Sequence, residues 1–299
     1  ANETLKRLCE TGEKNLDKYF SSVEQSVEMV EAYIESDLDG ADDARLQAHL
    51  DRVSEICKRI MSKTDGVMTY YYRIDPAVST NVGGFWYVRG EDGEFYPHEV
   101  TDITQYDTSD TSKLVWFTVP KENGKPVWLP PYITDNLGAR VLSFNIPIYH
   151  EGTFVGVFGI EIDYSTMAEQ VDNISLYDSG YAFINDTEGG IIYHPRMDVT
   201  TMEEQPKVPD GLLGEDNLVR YTYDGAEKLG IWLPLENGMR LNVCVPVKEV
   251  DAGWKTWANT VALTFLAMLA LFIFLAMVFS GRITGPLRKL TEMSERVDG

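Results

Sequence analysis

Cysteine and positive charge are both scarce in this chain, and each shortage excludes a class of protein. Only three of the 299 residues are cysteine, which excludes a small disulfide-stapled fold and a metal site built from several cysteines. The 26 basic residues are outnumbered by 47 acidic ones, so the net charge is −21. Nucleic acid is therefore not a predicted partner, because binding to phosphates requires a basic surface.

Recognisable catalytic motifs are also absent from the sequence. It contains no GxSxG, no phosphate-binding loop and no HExxH or similar spacing among its four histidines. We therefore predict no catalytic residue, no metal site and no cofactor, and an extracytoplasmic enzyme on a membrane anchor is only a remote alternative. Cys9 and Cys57 are predicted not to pair, because two helices that turn back near Gly40 would hold them about 20 Å apart.

Charge is missing from one long segment near the C-terminus. Residues 261–279 are apolar except for a single threonine, and a segment of this length spans a bilayer as a helix. Tryptophans precede the segment and basic residues follow it, which indicates the orientation by the positive-inside rule. We therefore predict a transmembrane helix over 254–280 in the cell membrane, with residues 1–253 outside the cytoplasm and 281–299 inside it.

The rest of the chain changes from a helical to a strand-like pattern. Apolar side chains recur at spacings of three and four up to about residue 62, as in amphipathic helices. Short β-branched and aromatic runs then alternate with turn residues, in two similar sets separated by a short helical segment. The predicted fold class is α+β, with a helical stalk over 1–64, a sheet-containing lobe over 65–173 and a second lobe over 174–253.

Several segments, in their order along the chain, resemble a known family. Residues 124–171, which include WLPPYITD and VGVFGIEID, are similar to the first lobe of double Cache domains, the extracytoplasmic PAS-like sensors of bacteria. Residues 179–199 and 228–250 resemble the opening and the close of the second lobe. Residues 282–299 resemble the first helix of a HAMP relay domain. The resemblance implies two PAS-like lobes, of which the first lies farther from the membrane and binds a small molecule.

The same resemblance implies a transmembrane receptor whose output domain follows the HAMP helix. We expect a histidine kinase output, with a methyl-accepting chemotaxis module or a diguanylate cyclase as the alternatives. Relay is expected to depend on Pro286, Leu287 and Leu290. The periodic faces of 16–34 and 283–297 suit coiled-coil packing, so a homodimer is expected. Since the chain begins with alanine and ends soon after the span, we expect a longer, two-pass parent protein.

The family's amino-acid-binding pattern is only partly present. The pattern has an arginine, one residue and then a tryptophan, followed later by a tyrosine and an aspartate. The tryptophan and its aromatic neighbour match Trp116 and Phe117, and the tyrosine matches Tyr132. Leu114 occupies the arginine position, and the nearest cation is Lys113. A guanidinium group, which could form two parallel hydrogen bonds to a ligand carboxylate, is therefore missing from this position.

The acidic half of the pattern is retained. Glu161 in GIEID matches the aspartate, and Asp163 lies two residues later, on the same face of a strand. Either carboxylate is a candidate to bind a ligand ammonium, and the sequence does not distinguish them. A retained acid without the arginine favours an amine or another cationic ligand over a free amino acid.

Overall fold

The computed structural model describes residues 2–134, 138–202 and 204–295. The chain forms two compact units, Ala1–Val245 and Pro246–Gly299. A long N-terminal helix, two antiparallel sheets and a C-terminal apolar helix confirm the predicted α+β class.

Two helices open the first unit, α1 (Asn2–Asp37) and α2 (Asp43–Met61). The Asp42 side chain caps α2 by accepting a hydrogen bond of 3.1 Å from the backbone N–H of Arg45. A continuous apolar stripe along α1 is buried, at the spacings of three and four that the sequence shows. This stripe is formed by Leu16, Phe20, Val23, Val27, Val30 and Ile34.

The first sheet has six strands in the order β3-β2-β1-β6-β5-β4. Their bounds are β1 (Val67–Ile74), β2 (Gly84–Arg89), β3 (Phe95–His98), β4 (Val127–Ile133), β5 (Arg140–His150) and β6 (Thr153–Asp163). Helix α3 (Val115–Asn123) precedes β4, and helix α4 (Tyr164–Asp172) follows β6. The central strands are buried on both faces, which explains why their sequences show little alternation between polar and apolar residues.

The second sheet has five strands in the order β8-β7-β11-β10-β9. Their bounds are β7 (Tyr181–Asn185), β8 (Ile191–Tyr193), β9 (Leu218–Tyr223), β10 (Ala226–Pro234) and β11 (Arg240–Pro246). Helix α1 packs against this sheet, where the Cys9 thiol lies 3.9 Å from the carbonyl oxygens of Ile231 and Leu241. Burial raises the pKa of this thiol to about 12. All three cysteines are free and buried, which confirms that Cys9 and Cys57 do not pair.

The second unit contains helix α5 (Val247–Glu295). Its segment Val247–Ser280 is long and apolar enough to cross a membrane, with a mean hydropathy of 2.8 and no burial in its most apolar window. The predicted relay residues Pro286, Leu287 and Leu290 fall within the range of α5, but their side chains lie outside the described residues.

One acidic side chain of α1 is expected to make stability depend on pH. Burial raises the pKa of Glu31 to about 7, and the charges of Glu35 and Glu28 contribute in the same direction. Because the folded-state pKa exceeds the unfolded one, the folded state is favoured at low pH. This advantage is lost as the pH rises from about 4.5 to about 7.

Glu31→Gln removes this titration and is expected to stabilise the chain at pH 8 relative to the unmodified protein. The shift sets an upper limit of about 3 kcal/mol, which solvent around a half-buried group reduces to about 1–2 kcal/mol. The measurement is urea unfolding of the chain in detergent at pH 5 and pH 8. Glu55→Gln, at an exposed position of α2, is the matched control. An equal pH dependence in all three proteins would contradict the prediction.

Candidate functional site

The side chains on the two faces of strand β1 pack against different parts of the molecule. Tyr72 faces helix α2, where its ring lies 5.8 Å from that of His49. Tyr71 faces the other side, where its ring meets that of Trp116 in α3 edge-on at 5.1 Å. Alternation along the strand places Thr69 and Arg73 on the same face as Tyr71, and all three side chains are buried. This face of the sheet is the floor of the candidate site.

Strand pairing brings an acid to the same face. Glu161 on β6 lies directly opposite Thr69 on β1 and is 8% exposed. Its Oε2 accepts a hydrogen bond of 2.9 Å from the Thr69 hydroxyl, and its Oε1 accepts one of 2.6 Å from the Tyr132 hydroxyl. Burial raises the pKa of Glu161, and the two hydrogen bonds oppose that rise. Each carboxylate oxygen has two lone pairs, so each of the two oxygens can accept a further hydrogen bond from a ligand.

A cavity of about 470 Å³, including its open mouth, lies above this floor. The cavity is lined by three aromatic rings, one acid and one cation, which are Tyr71, Trp86, Trp116, Glu161 and Arg73. Val100, Thr101 and Thr134 complete the lining.

Arg73 supplies a cation that the motif position, occupied by Leu114, lacks. Its Nε donates to the carbonyl oxygen of Thr101 at 3.1 Å, and its Nη1 donates to the carbonyl oxygens of Ile74 and Gly83. Its Nη2 has no hydrogen-bond acceptor within the described part of the chain. Burial lowers the pKa of Arg73, and the charges of Asp102 and Asp75 oppose this. The guanidinium therefore has a donor to offer to a ligand.

A glycine allows the Tyr71 ring to lie flat over the neighbouring strand. Gly159 is the cross-strand partner of Tyr71, and a Cβ at this position would collide with the Tyr71 ring and with the Asn145 side chain. The Tyr71 hydroxyl donates to Asn145 Oδ1 at 2.5 Å, and Asn145 Nδ2 donates to the Ser143 hydroxyl at 2.6 Å. This buried network fixes the orientation of the ring, so the aromatic wall is formed before any ligand binds.

Three of the predicted ligand-binding residues meet at this cavity. Trp116 and Glu161 line it, and Tyr132 holds the Glu161 carboxylate through its hydroxyl. Phe117 instead lies in the core, completely buried with Ile103 and Val157. Helical geometry explains the difference, since consecutive residues of α3 point in different directions.

The other two predicted residues lie away from the cavity. Asp163 ends β6 and caps α4, where its carboxylate accepts a hydrogen bond of 2.8 Å from the backbone N–H of Ser165. Asp163 therefore does not share the cavity with Glu161, although both were candidates on the same strand face. Lys113 is exposed in the segment before α3 and is not among the residues that line the cavity.

The family profile for the Cache domain matches residues 1–254. The chain belongs to the Cache domain family. The chain has two sheets and a long first helix, as in the double form of the Cache domain. Membership in this family of ligand-binding sensor domains indicates that residues 1–254 form a sensor module and not a catalytic domain.

Known relatives of this Cache domain include bacterial chemoreceptors. Methyl-accepting chemotaxis protein TlpQ of Pseudomonas aeruginosa is 30% identical over 115 residues, which cover 34% of this chain. The chain spans only 16% of the length of TlpQ and 18% of that of PctB, a second chemotaxis protein from the same organism.

Solved structures share the fold. The ligand-binding domain of Pseudomonas aeruginosa PctB in complex with L-Arg superposes with a TM-score of 0.58 at 16% identity, covering 86% of this chain and 92% of that domain. The extracellular domain of the putative histidine kinase mmHK1S-Z3 superposes with a TM-score of 0.62 at 18% identity, covering 85% of this chain and 97% of that domain.

Proposed function

We propose that this Cache domain is the extracytoplasmic sensor of a transmembrane receptor and binds a small ligand that carries an ammonium group. The observation that carries the proposal is the buried Glu161 carboxylate, which is held by two hydroxyls and faces a cavity with aromatic walls. A carboxylate in such a place is costly without a cationic partner. Aromatic faces also attract ammonium groups.

The position of Arg73 shifts the preferred ligand from a simple amine to an amino acid. An arginine and a glutamate that line one small cavity complement the two charged ends of a zwitterion. Structural relatives were solved with such compounds, PctB with L-Arg and PctC with GABA. A simple amine would use Glu161 and the rings and leave Arg73 without a ligand partner, so it is the second candidate.

A thermal-shift screen of the 299-residue chain in detergent tests the proposal. Amino acids, amines and carboxylates are screened as separate sets, and calorimetry follows on the hits. We expect saturable stabilisation by amino acids, less by matched amines, and none at this cavity by carboxylates that lack an ammonium. Tight binding at this cavity by such carboxylates, without any binding by the two ammonium-containing sets, would overturn the proposal.

We propose a membrane topology that places the binding cavity outside the cell. Residues 1–253 would be extracytoplasmic, 254–280 would form the span, and 281–299 would be cytoplasmic. The apolar segment of α5 supports this arrangement. Within the outer part, 1–64 would form the stalk, 65–173 the membrane-distal lobe and 174–253 the membrane-proximal lobe. A homodimer is part of the same proposal, as is a second span in the full-length receptor.

The output of the receptor is proposed from the relatives. The curated relatives TlpQ and PctB are methyl-accepting chemotaxis proteins, which favours a chemotaxis module. A histidine kinase output is the second candidate, supported by the fold shared with the extracellular domain of mmHK1S-Z3. In either receptor, the ligand must bind two conformations of the sensor with different affinities in order to transmit a signal.

The proposed HAMP-like helix leads to a prediction about relay. Leu287→Asp places a charge in the apolar face of 283–297 and is expected to abolish ligand-dependent output of the full-length receptor. Ligand affinity at the sensor should change less than about threefold, because binding and relay are separate steps. Leu287→Met, which stays apolar, is the matched control and should relay normally. Loss of ligand affinity with intact relay would show that this helix does not transmit the signal.

A further inference from the structure

The second sheet also has one buried face that carries polar and aromatic side chains. Strand pairing places Tyr181 of β7 opposite Cys244 of β11, and Phe183 opposite Asn242. On β10, Lys228 lies opposite Tyr221 of β9. The opposite face packs against α1, since Leu241 lies beside Gly12. In the first sheet, the face turned away from α1 and α2 lines the candidate cavity, and this polar face is its counterpart.

Lys228 is a buried cation that has no carboxylate partner among the described residues. Lys228 is 4% exposed. No carboxylate in the described part of the chain forms an ion pair with its ammonium group. Its Nζ donates to the Tyr181 hydroxyl at 2.7 Å and lies 4.7 Å and 5.0 Å from the ring centres of Tyr181 and Tyr223. An ammonium has three donors, so this arrangement leaves capacity for an anion.

A second cation and a neutral histidine lie beside the same tyrosine. The Arg196 guanidinium lies 4.4 Å from the Tyr181 ring centre, and the buried His194 ring lies 4.9 Å from it. The backbone N–H of Arg196 donates to His194 Nδ1 at 3.1 Å. Burial and the charges of Lys228 and Arg196 lower the pKa of His194 to about 4. The imidazole is therefore neutral at neutral pH, with its hydrogen on Nε2 as a further donor.

These groups form a cationic cluster, whereas the cavity of the first lobe is lined by one acid and one cation. We propose that the polar face of the second sheet binds a small carboxylate, held by Lys228 and the Tyr181 hydroxyl, with Arg196 beside the Tyr181 ring. His194 and Arg196 also line an open cleft, which includes Arg140, Asp163 and Asp198. Binding would supply the anion that the buried ammonium lacks.

The experiment measures carboxylate binding to the 299-residue chain in detergent. Acetate, propionate and lactate are titrated as sodium salts to about 20 mM, well above a millimolar Kd, with sodium chloride at matched ionic strength as the control. Thermal shift and calorimetry are the readouts. We expect saturable binding of at least one carboxylate, and Lys228→Met should weaken it at least tenfold. This variant should fold, because replacing an unpaired buried cation by an apolar side chain of similar length removes a desolvation cost.

One variant in each lobe separates this site from the proposed amino-acid site. Glu161→Gln in the first lobe should leave carboxylate binding unchanged, and Lys228→Met should leave amino-acid binding unchanged. Arg220→Gln, at a surface ion pair with Glu227, controls for a general loss of positive charge and should have no effect. The proposal is overturned if no carboxylate binds better than chloride, or if binding survives in Lys228→Met with unchanged affinity.

Discussion

Lys121→Met is expected to lower the free energy of unfolding by about 3–5 kcal/mol, because it leaves a buried carboxylate without its partner. Lys121 Nζ donates to Asp75 Oδ2 at 2.6 Å and to the Thr108 hydroxyl at 2.8 Å. The Asp75 side chain is 3% exposed. The Lys121 side chain is 28% exposed, and its ammonium also lies 5.3 Å from the ring centre of Phe154.

The measurement is urea unfolding of the chain at pH 7, with two matched variants. Lys125→Met, at an exposed position shortly after α3, should change stability by less than about 0.5 kcal/mol. The double variant Lys121→Met with Asp75→Asn should recover part of the loss, because no charge is then left buried and unpaired. A loss below about 1 kcal/mol in Lys121→Met would show that solvent reaches Asp75.

This ion pair also matters for the cavity. It joins α3 to the end of β1, and these two elements carry Trp116 and Arg73 on the cavity wall. The ion pair therefore helps to fix the position of Trp116 relative to Arg73. The sequence gives no sign of it, because Asp75 and Lys121 are far apart in the chain and each is an ordinary charged residue by composition.

Local patterns predicted helices α1, α2 and α4 and most of the strands, but not helix α3 or strand β4. The charged residue that ends the apolar run VGVFGI indicated that Glu161 is a buried acid. Alternation along the strand placed Asp163 on the inward face. That prediction was incomplete, because a free backbone N–H at the start of α4 competes for the last carboxylate of the strand.

The cation of the site was not predicted from the family motif. At the motif position, Leu114 adopts a left-handed backbone with φ of 46° and packs on the cluster around Phe117. The guanidinium comes instead from Arg73, which is separated from Trp116 by two strands and a long connection. A signal was present, since Arg73 is the one charged residue in the strand VMTYYYRI, and a charge in such a strand must find buried partners.

Glu161→Gln is expected to weaken binding of ammonium-containing ligands by about tenfold to a hundredfold. A hydrogen bond to a charged group contributes about 1.5–3 kcal/mol, and about 1.4 kcal/mol corresponds to one decade in Kd. Glutamine keeps the shape: its carbonyl oxygen can accept from one of the two hydroxyls, and its NH2 can donate to the oxygen of the other. The substitution therefore tests charge more than packing. Asp163→Asn is the matched control. Asparagine is a good helix cap, and Asp163 lies outside the cavity, so affinity should stay within about twofold.

The pH dependence of the same titration identifies the charge that the ligand contacts. An ammonium binds the ionised carboxylate, and burial raises the pKa of Glu161. Affinity should therefore fall as the pH is lowered toward that pKa, and the fall should be absent in Glu161→Gln. Calorimetry between pH 5 and pH 8 measures both. An unchanged affinity in Glu161→Gln at every pH would exclude Glu161 as the ammonium partner. Arg73 would then be the charged group that anchors the ligand, and a carboxylate without an ammonium would be the expected class.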